Sequence, residues 1–188
     1  MAHTSFTESQ QQTLLSIARE AIQQHLKTGK TFIIDPKGFD EALQVIRAPF
    51  VTLTINRQLR GCIGTLIALQ PLVHDVAHYA QAAAFHDPRF PPVTLAELPQ
   101  LDIHLSILNP AEPLLFTDEM DLLRQLRPQV DGLIFEAQGH KATFLPSVWE
   151  SLPTARDFLR HLKQKAGFSA DYWSPSVKIQ RYTVESIG

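Results

Sequence analysis

The chain has 188 residues, 44% hydrophobic and 19% charged, with 17 basic against 19 acidic side chains and a formal net charge of −2. Such a chain can bury a real core as one soluble globular domain, and its charge balance provides no overall field to recruit nucleic acid or anionic lipid. A lone cysteine excludes an intrachain disulfide and fits a reducing compartment, and neither a signal peptide nor a membrane-length apolar run is legible, so the expected location is the cytoplasm.

In chain order, a first helix is expected to open at Thr7, with Gln10 completing a capping box, and to stop at Gly29. Leu14, Ala18, Ile22 and Leu26 give it one apolar face. Thr31 to Ile34 reads as a short strand before the Asp35-Pro36-Lys37-Gly38 turn, and Phe39 to Ile46 as a helical turn or two. Phe50 to Ile55 alternates and is β-branched. Asn56-Arg57-Gln58 is a polar break, and Leu59 to Leu66 reads as the returning strand of a hairpin. Pro71 is placed to start a helix running to Phe85, whose arc of Val73, Val76, Ala77, Ala80 and Ala84 implies close packing on a neighbour. The proline-bounded run from His86 to Pro92 cannot stay helical. Thr94 and Glu97 form a capping box for one short turn, and Leu101, Ile103, Leu105 and Ile107 alternate as a half-buried strand. A proline-punctuated loop from Asn109 to Pro113 leads toward a smaller lobe within about 110–170. That stretch offers a helix from Thr117 to Arg127, strands Leu133–Ala137 and His140–Leu145, and a helix opened by Thr154 and closed by Gly167. Val177 to Val184 reads as a final strand. The expected fold class is α+β: a mixed or antiparallel sheet flanked by helices, in a two-lobed single domain.

Leu59-Arg60-Gly61-Cys62-Ile63-Gly64-Thr65-Leu66 holds the cysteine and two of the eight glycines. Regular strand geometry puts Arg60, Cys62 and Gly64 on one face, with the guanidinium about 7 Å from the thiol. A cation there favours the thiolate, and Gly64 leaves bare backbone where something approaches closely. The competing reading is a packed strand cysteine acting as a small hydrophobe. In the loop that follows the second helix, either Asp87 pairs with Arg60 and Arg89 reads an anionic ligand, or the two residues close the helix by a local ion pair. His74 and His78 share a helix face but lack a third ligand, so no metal and no cofactor are expected. Asp102, His104 and Ser106 lie along one strand about 7 Å apart, too far for a relay. No phosphate loop is present, and basic residues are not interleaved with aromatics.

The heptapeptide Leu59 to Thr65 resembles the signature of the AMMECR domain family. The resemblance extends through Ala82 to Pro92, Glu97-Leu98, Val130 to Ile134, Ala142 to Trp149 and Lys165 to Gly167, in a layout similar to the short stand-alone prokaryotic form. It implies an intracellular α+β protein with two lobes and the glycine-cysteine motif near the cleft between them, often encoded beside Memo-like and radical SAM proteins. It brings no established reaction. The expected site is Cys62 as catalytic nucleophile, with Arg60, Gly61, Gly64, Thr65, Asp87 and Arg89 as binding residues. Its role is expected to be ligand-binding or accessory, toward a small molecule or peptide or beside those two partners. A thiol-dependent enzyme is the alternative, with nucleic-acid binding the least favoured.

Overall fold

Thr7 accepts a hydrogen bond from the Gln10 amide while the Gln10 side chain accepts from the Thr7 amide, and this reciprocal cap opens α1 (Glu8–Thr28). Gly29 ends the helix in the left-handed region, at φ 68°. The computed structural model describes residues 5–188. It divides into one unit ending at Leu108, to which Glu185–Gly188 also belong, and a second unit, Asn109–Val184.

In the first unit, residues 31–34 form no strand. The Phe32 amide donates to Gln81 Oε1 at 2.8 Å, and Gln81 Nε2 donates to the Phe32 carbonyl at 3.1 Å. One side-chain amide thus satisfies both backbone groups and replaces a neighbouring strand. The hairpin is formed by β1 (Pro49–Ile55) and β2 (Gln58–Gly64), joined by Asn56 and Arg57 at φ 51° and 64°. These are the positive angles of a two-residue turn, adopted without a glycine. Next come α2 (Leu72–Phe85) and β3 (Asp102–Leu108), which pairs antiparallel with β1. Val51, Leu53, Leu105 and Ile107 point from the sheet into a core shared with Leu14, Ile22, Val73, Val76 and Ala80 of the two helices. The opposite sheet face carries Thr52, His104 and Ser106.

The second unit begins with the two-residue β4 (Glu112–Pro113) and α3 (Glu119–Gln125). Asp118, not Thr117, caps α3, accepting from the Asp121 amide at 2.8 Å. The helix stops short of Arg127 because the Arg127 amide donates to the buried Asp131 carboxylate at 2.8 Å. Then follow β5 (Gly132–Ala137), β6 (His140–Phe144), α4 (Ala155–Lys165) and β7 (Lys178–Tyr182), in sheet order β4-β7-β5-β6. Leu133, Phe135 and Ile179 pack with Phe158, Leu159 and Leu162, and Trp149 stacks on Phe158 with ring centroids 3.8 Å apart. The last strand expected, over Val177 to Val184, is β7, which ends at Tyr182, and a further strand after Thr183 was not expected. β7 serves this sheet, while β8 (Val184–Ile187) lies beside β3 in the first, whose order is β2-β1-β3-β8.

Candidate functional site

A one-residue bulge in β2 sets the geometry around Cys62. Ile55 pairs with Gln58 and Thr54 with Leu59, but Leu53 pairs with Gly61, so Arg60 has no partner on β1. The shift puts Cys62 opposite Thr52, which in turn pairs with His104, and all three lie on the sheet face turned away from α1 and α2. Without the bulge, Cys62 would fall opposite Val51, whose side chain is fully buried in the core.

The expected partnership of Arg60 with Cys62 or Asp87 is not the one formed. Arg60 Nε donates to Glu97 Oε1 at 2.7 Å and its Nη2 to Glu97 Oε2 at 3.2 Å. The remaining donors meet the Pro91 and Pro92 carbonyls at 2.9 and 3.3 Å. Glu97 also accepts from the Thr94 amide and hydroxyl. Hydrogen bonding to Arg60, reinforced by Thr94, pulls the Glu97 carboxyl down to about 2. Arg60 therefore ties the proline-rich loop to the sheet. Its bulge position aims the side chain there.

Asp87 pairs with Arg89. Arg89 Nε donates to Asp87 Oδ1 at 2.9 Å and Nη2 to Oδ2 at 2.7 Å, a two-pronged contact, and the Arg89 amide adds a third bond at 3.1 Å. The buried Asp87 carboxylate also accepts from the Cys62 amide at 2.9 Å, and Arg89 Nη2 donates to the Cys62 carbonyl at 3.3 Å. β2 is an edge strand, and this loop occupies both outward backbone groups of Cys62. The Arg89 guanidinium holds the Asp87 carboxyl far below the usual carboxylate range, against the upward push of burial, with the Cys62 and Arg89 amides assisting. Arg89 is raised in turn, first by Asp87 and in lesser part by the Cys62 side chain.

Cys62 is half-buried, and its Sγ accepts from Thr52 Oγ1 at 3.3 Å. Thr52 was not among the residues expected from the sequence, where no cross-strand neighbour of Cys62 was assigned. His104 follows Thr52 in the same row, two strands from Cys62 and about 10 Å away by strand spacing. The bare backbone at the two glycines admits the protein itself. A Cβ on Gly61 would strike the Ala83 carbonyl of α2, and one on Gly64 would strike Phe50 and the Pro49 carbonyl. Thr65 folds its hydroxyl onto Ile67, accepting from the Ile67 amide at 3.0 Å. Of the seven residues expected at the site, Cys62, Asp87 and Arg89 come together. Arg60 braces the loop, the two glycines allow close packing, and Thr65 shapes the turn.

The Asp102, His104 and Ser106 row shows no hydrogen bond along its strand among the described residues, in keeping with its spacing. His74 Nδ1 faces Asp75 Oδ1 at 3.2 Å, and its ring lies parallel to that of His78 at 6.4 Å. Among the described residues, no group of three His, Cys, Asp or Glu side chains is placed to hold a metal ion. No helix among them is long and apolar enough to cross a membrane.

The sequence profile of the AMMECR1 family matches residues 15–187. A protein of Methanothermobacter thermautotrophicus is 34% identical over 98% of this chain and 97% of its own length. Protein MJ0810 of Methanocaldococcus jannaschii is 34% identical over 89% of this chain and 84% of its own. The crystal structure of the uncharacterized protein PH0010 from Pyrococcus horikoshii superposes with a TM-score of 0.90 at 33% identity, covering 97% of this chain and 93% of that one.

Proposed function

We propose that this chain, which belongs to the AMMECR1 family, is a cytoplasmic ligand-binding or accessory protein whose recognition surface is the outer edge of β2 at Cys62. One observation carries the reading. The Arg89 guanidinium is held beside Cys62 by a buried carboxylate, yet 53% of its side chain stays exposed. A cation so fixed has already lost much of the side-chain entropy that binding an anion otherwise costs. Its free face, the half-buried thiol and Thr52 suit a small molecule or peptide bearing an anionic group. The protein partners in this reading are Memo-like and radical SAM proteins. The test is a metabolite and partner pull-down with wild type, Cys62→Ala and Arg89→Gln, together with direct mixing of the purified protein with those two partners. A ligand or partner retained by wild type and lost in both variants supports the reading. Identical captures by all three proteins overturn it.

The second reading is a thiol-dependent enzyme with Cys62 as nucleophile. It is favoured by the Thr52 hydroxyl, which donates to the sulfur at 3.3 Å, and by the Arg89 cation held at the Cys62 carbonyl. Turnover of a captured ligand, abolished in Cys62→Ser while binding persists, would select it.

A further inference from the structure

Beyond the thiol site, the first unit holds a cavity of about 330 Å³ between the turn after β2 and the exposed side of α2. Thr65, Ile67 and Leu69 border it from the turn, and Asp75, His78 and Tyr79 from the helix. Asp75 is the unusual member. Its side chain is only 8% exposed, and its one hydrogen-bonding partner among the described side chains is the neighbouring His74, 3.2 Å away. Asp75 lies in the first turn of α2, where the free helix amides present partial positive charge. A buried carboxylate without a fixed cation nevertheless gains by meeting one. The Tyr79 and His78 rings, edge to face at 4.8 Å, supply aromatic walls next to it.

Beside the polar Thr65, Gln70 and His74, two of the residues bordering the cavity are aliphatic. Ile67 and Leu69 are 65% and 74% exposed. Ile67 and Leu69 make an aliphatic apron along the cavity, and the backbone of Ile46, itself 54% exposed, is bridged to Pro71 just before α2. Exposed aliphatic side chains beside a polar pocket suit an interaction surface.

We infer that this cavity seats the alkylammonium group of a lysine on a partner protein, with Asp75 taking the charge and the apron taking aliphatic residues that flank the lysine. The choice of a protein over a metabolite rests on the accessory reading above. The amine site itself does not, because neither Cys62 nor Arg89 borders it.

The experiment is a titration of ¹⁵N-labelled protein with pentylammonium and with 1-pentanol, followed through the amides of residues 65–79. Pentylammonium is expected to bind about fivefold or more tightly than the alcohol, a difference set by one partly screened ion pair. Asp75→Asn is expected to reduce the amine to the level of the alcohol while the melting curve shows the fold intact. Ile67→Ser with Leu69→Ser, both on the exposed turn, should weaken amine and alcohol alike. Cys62→Ala should titrate as wild type does, which separates this site from the thiol reading. Equal binding of amine and alcohol, or a preference that survives Asp75→Asn, overturns the amine site. In the second arm, Nα-acetyl-lysine N-methylamide should compete with pentylammonium at least as well as spermidine. Spermidine binding about tenfold more tightly than the capped lysine would assign the cavity to a free polyamine and overturn the protein partner.

Discussion

Asp87→Asn tests the clamp on Cys62 most directly. The buried carboxylate accepts four hydrogen bonds, one from the Cys62 amide and three from Arg89, and asparagine keeps a single acceptor oxygen. Whichever way the amide turns, two donors then face an NH2 group. Hydrogen bonds to charged groups contribute about 1.5–3 kcal/mol each, but the exposed share of the Arg89 pair is recovered by water, so the expected loss is about 2–3 kcal/mol. For a protein of this size that lowers the melting temperature by about 5–10 °C. Far-UV circular dichroism is the suitable probe, since the 21-residue α1 and 14-residue α2 belong to the first unit, while Trp149 and Trp173 report only on the second. The folded-state pKa of Asp87 is depressed, so its stabilisation is complete above the unfolded value of about 3.9 and drains away as the pH falls toward the folded one. The gap between wild type and Asp87→Asn should therefore be full at pH 7 and narrow progressively below about pH 4. A variant melting within about 1 °C of wild type at pH 7, or a gap that widens in acid, would refute the clamp.

Two further outcomes follow from the same surface. Gly61→Ala drives a Cβ into the Ala83 carbonyl and must push α2 off the sheet, so we expect a loss of about 3 kcal/mol or more in urea unfolding; a variant as stable as wild type would mean the helix approach is looser than described. Iodoacetamide labelling of Cys62 at pH 7 should slow severalfold in Arg89→Gln and change little in Arg60→Gln, because Arg60 is spent on Glu97 and two prolyl carbonyls; the reverse order would restore Arg60 as the thiol's partner.

Much of the fold was legible because local rules sufficed. Thr7 with Gln10, the alanine arc of α2, the alternation from Leu101 to Ile107 and the Thr154 cap are each written within a few residues. The expected strand at 31–34 failed because its partner is a side chain, Gln81, 49 residues away in sequence from Phe32. β8 was missed because nothing in the composition after Tyr182 shows that the chain passes to another sheet. At the site, the residues were readable and their partnerships were not. Counting back from a regular two-residue turn pairs Cys62 with Val51, a core position, and Arg60 with Leu53. One extra residue in the strand reverses both assignments. Which face of the sheet Cys62 takes thus depends on the turn length and a single bulge, and nothing local in the sequence announces either.

The return of the chain to the first sheet has a consequence for synthesis. β8 reaches β3 only after residues 109–184 have been made, and its Glu185 locks onto Arg47 at 2.6 Å and onto Ser5 near the start of the described chain. Residues up to Leu108 are made first, yet their sheet keeps an uncovered edge on β3 until β8 follows β7 out of synthesis. An edge left unpaired over that interval is the part of the first unit most open to mispairing until β8 arrives.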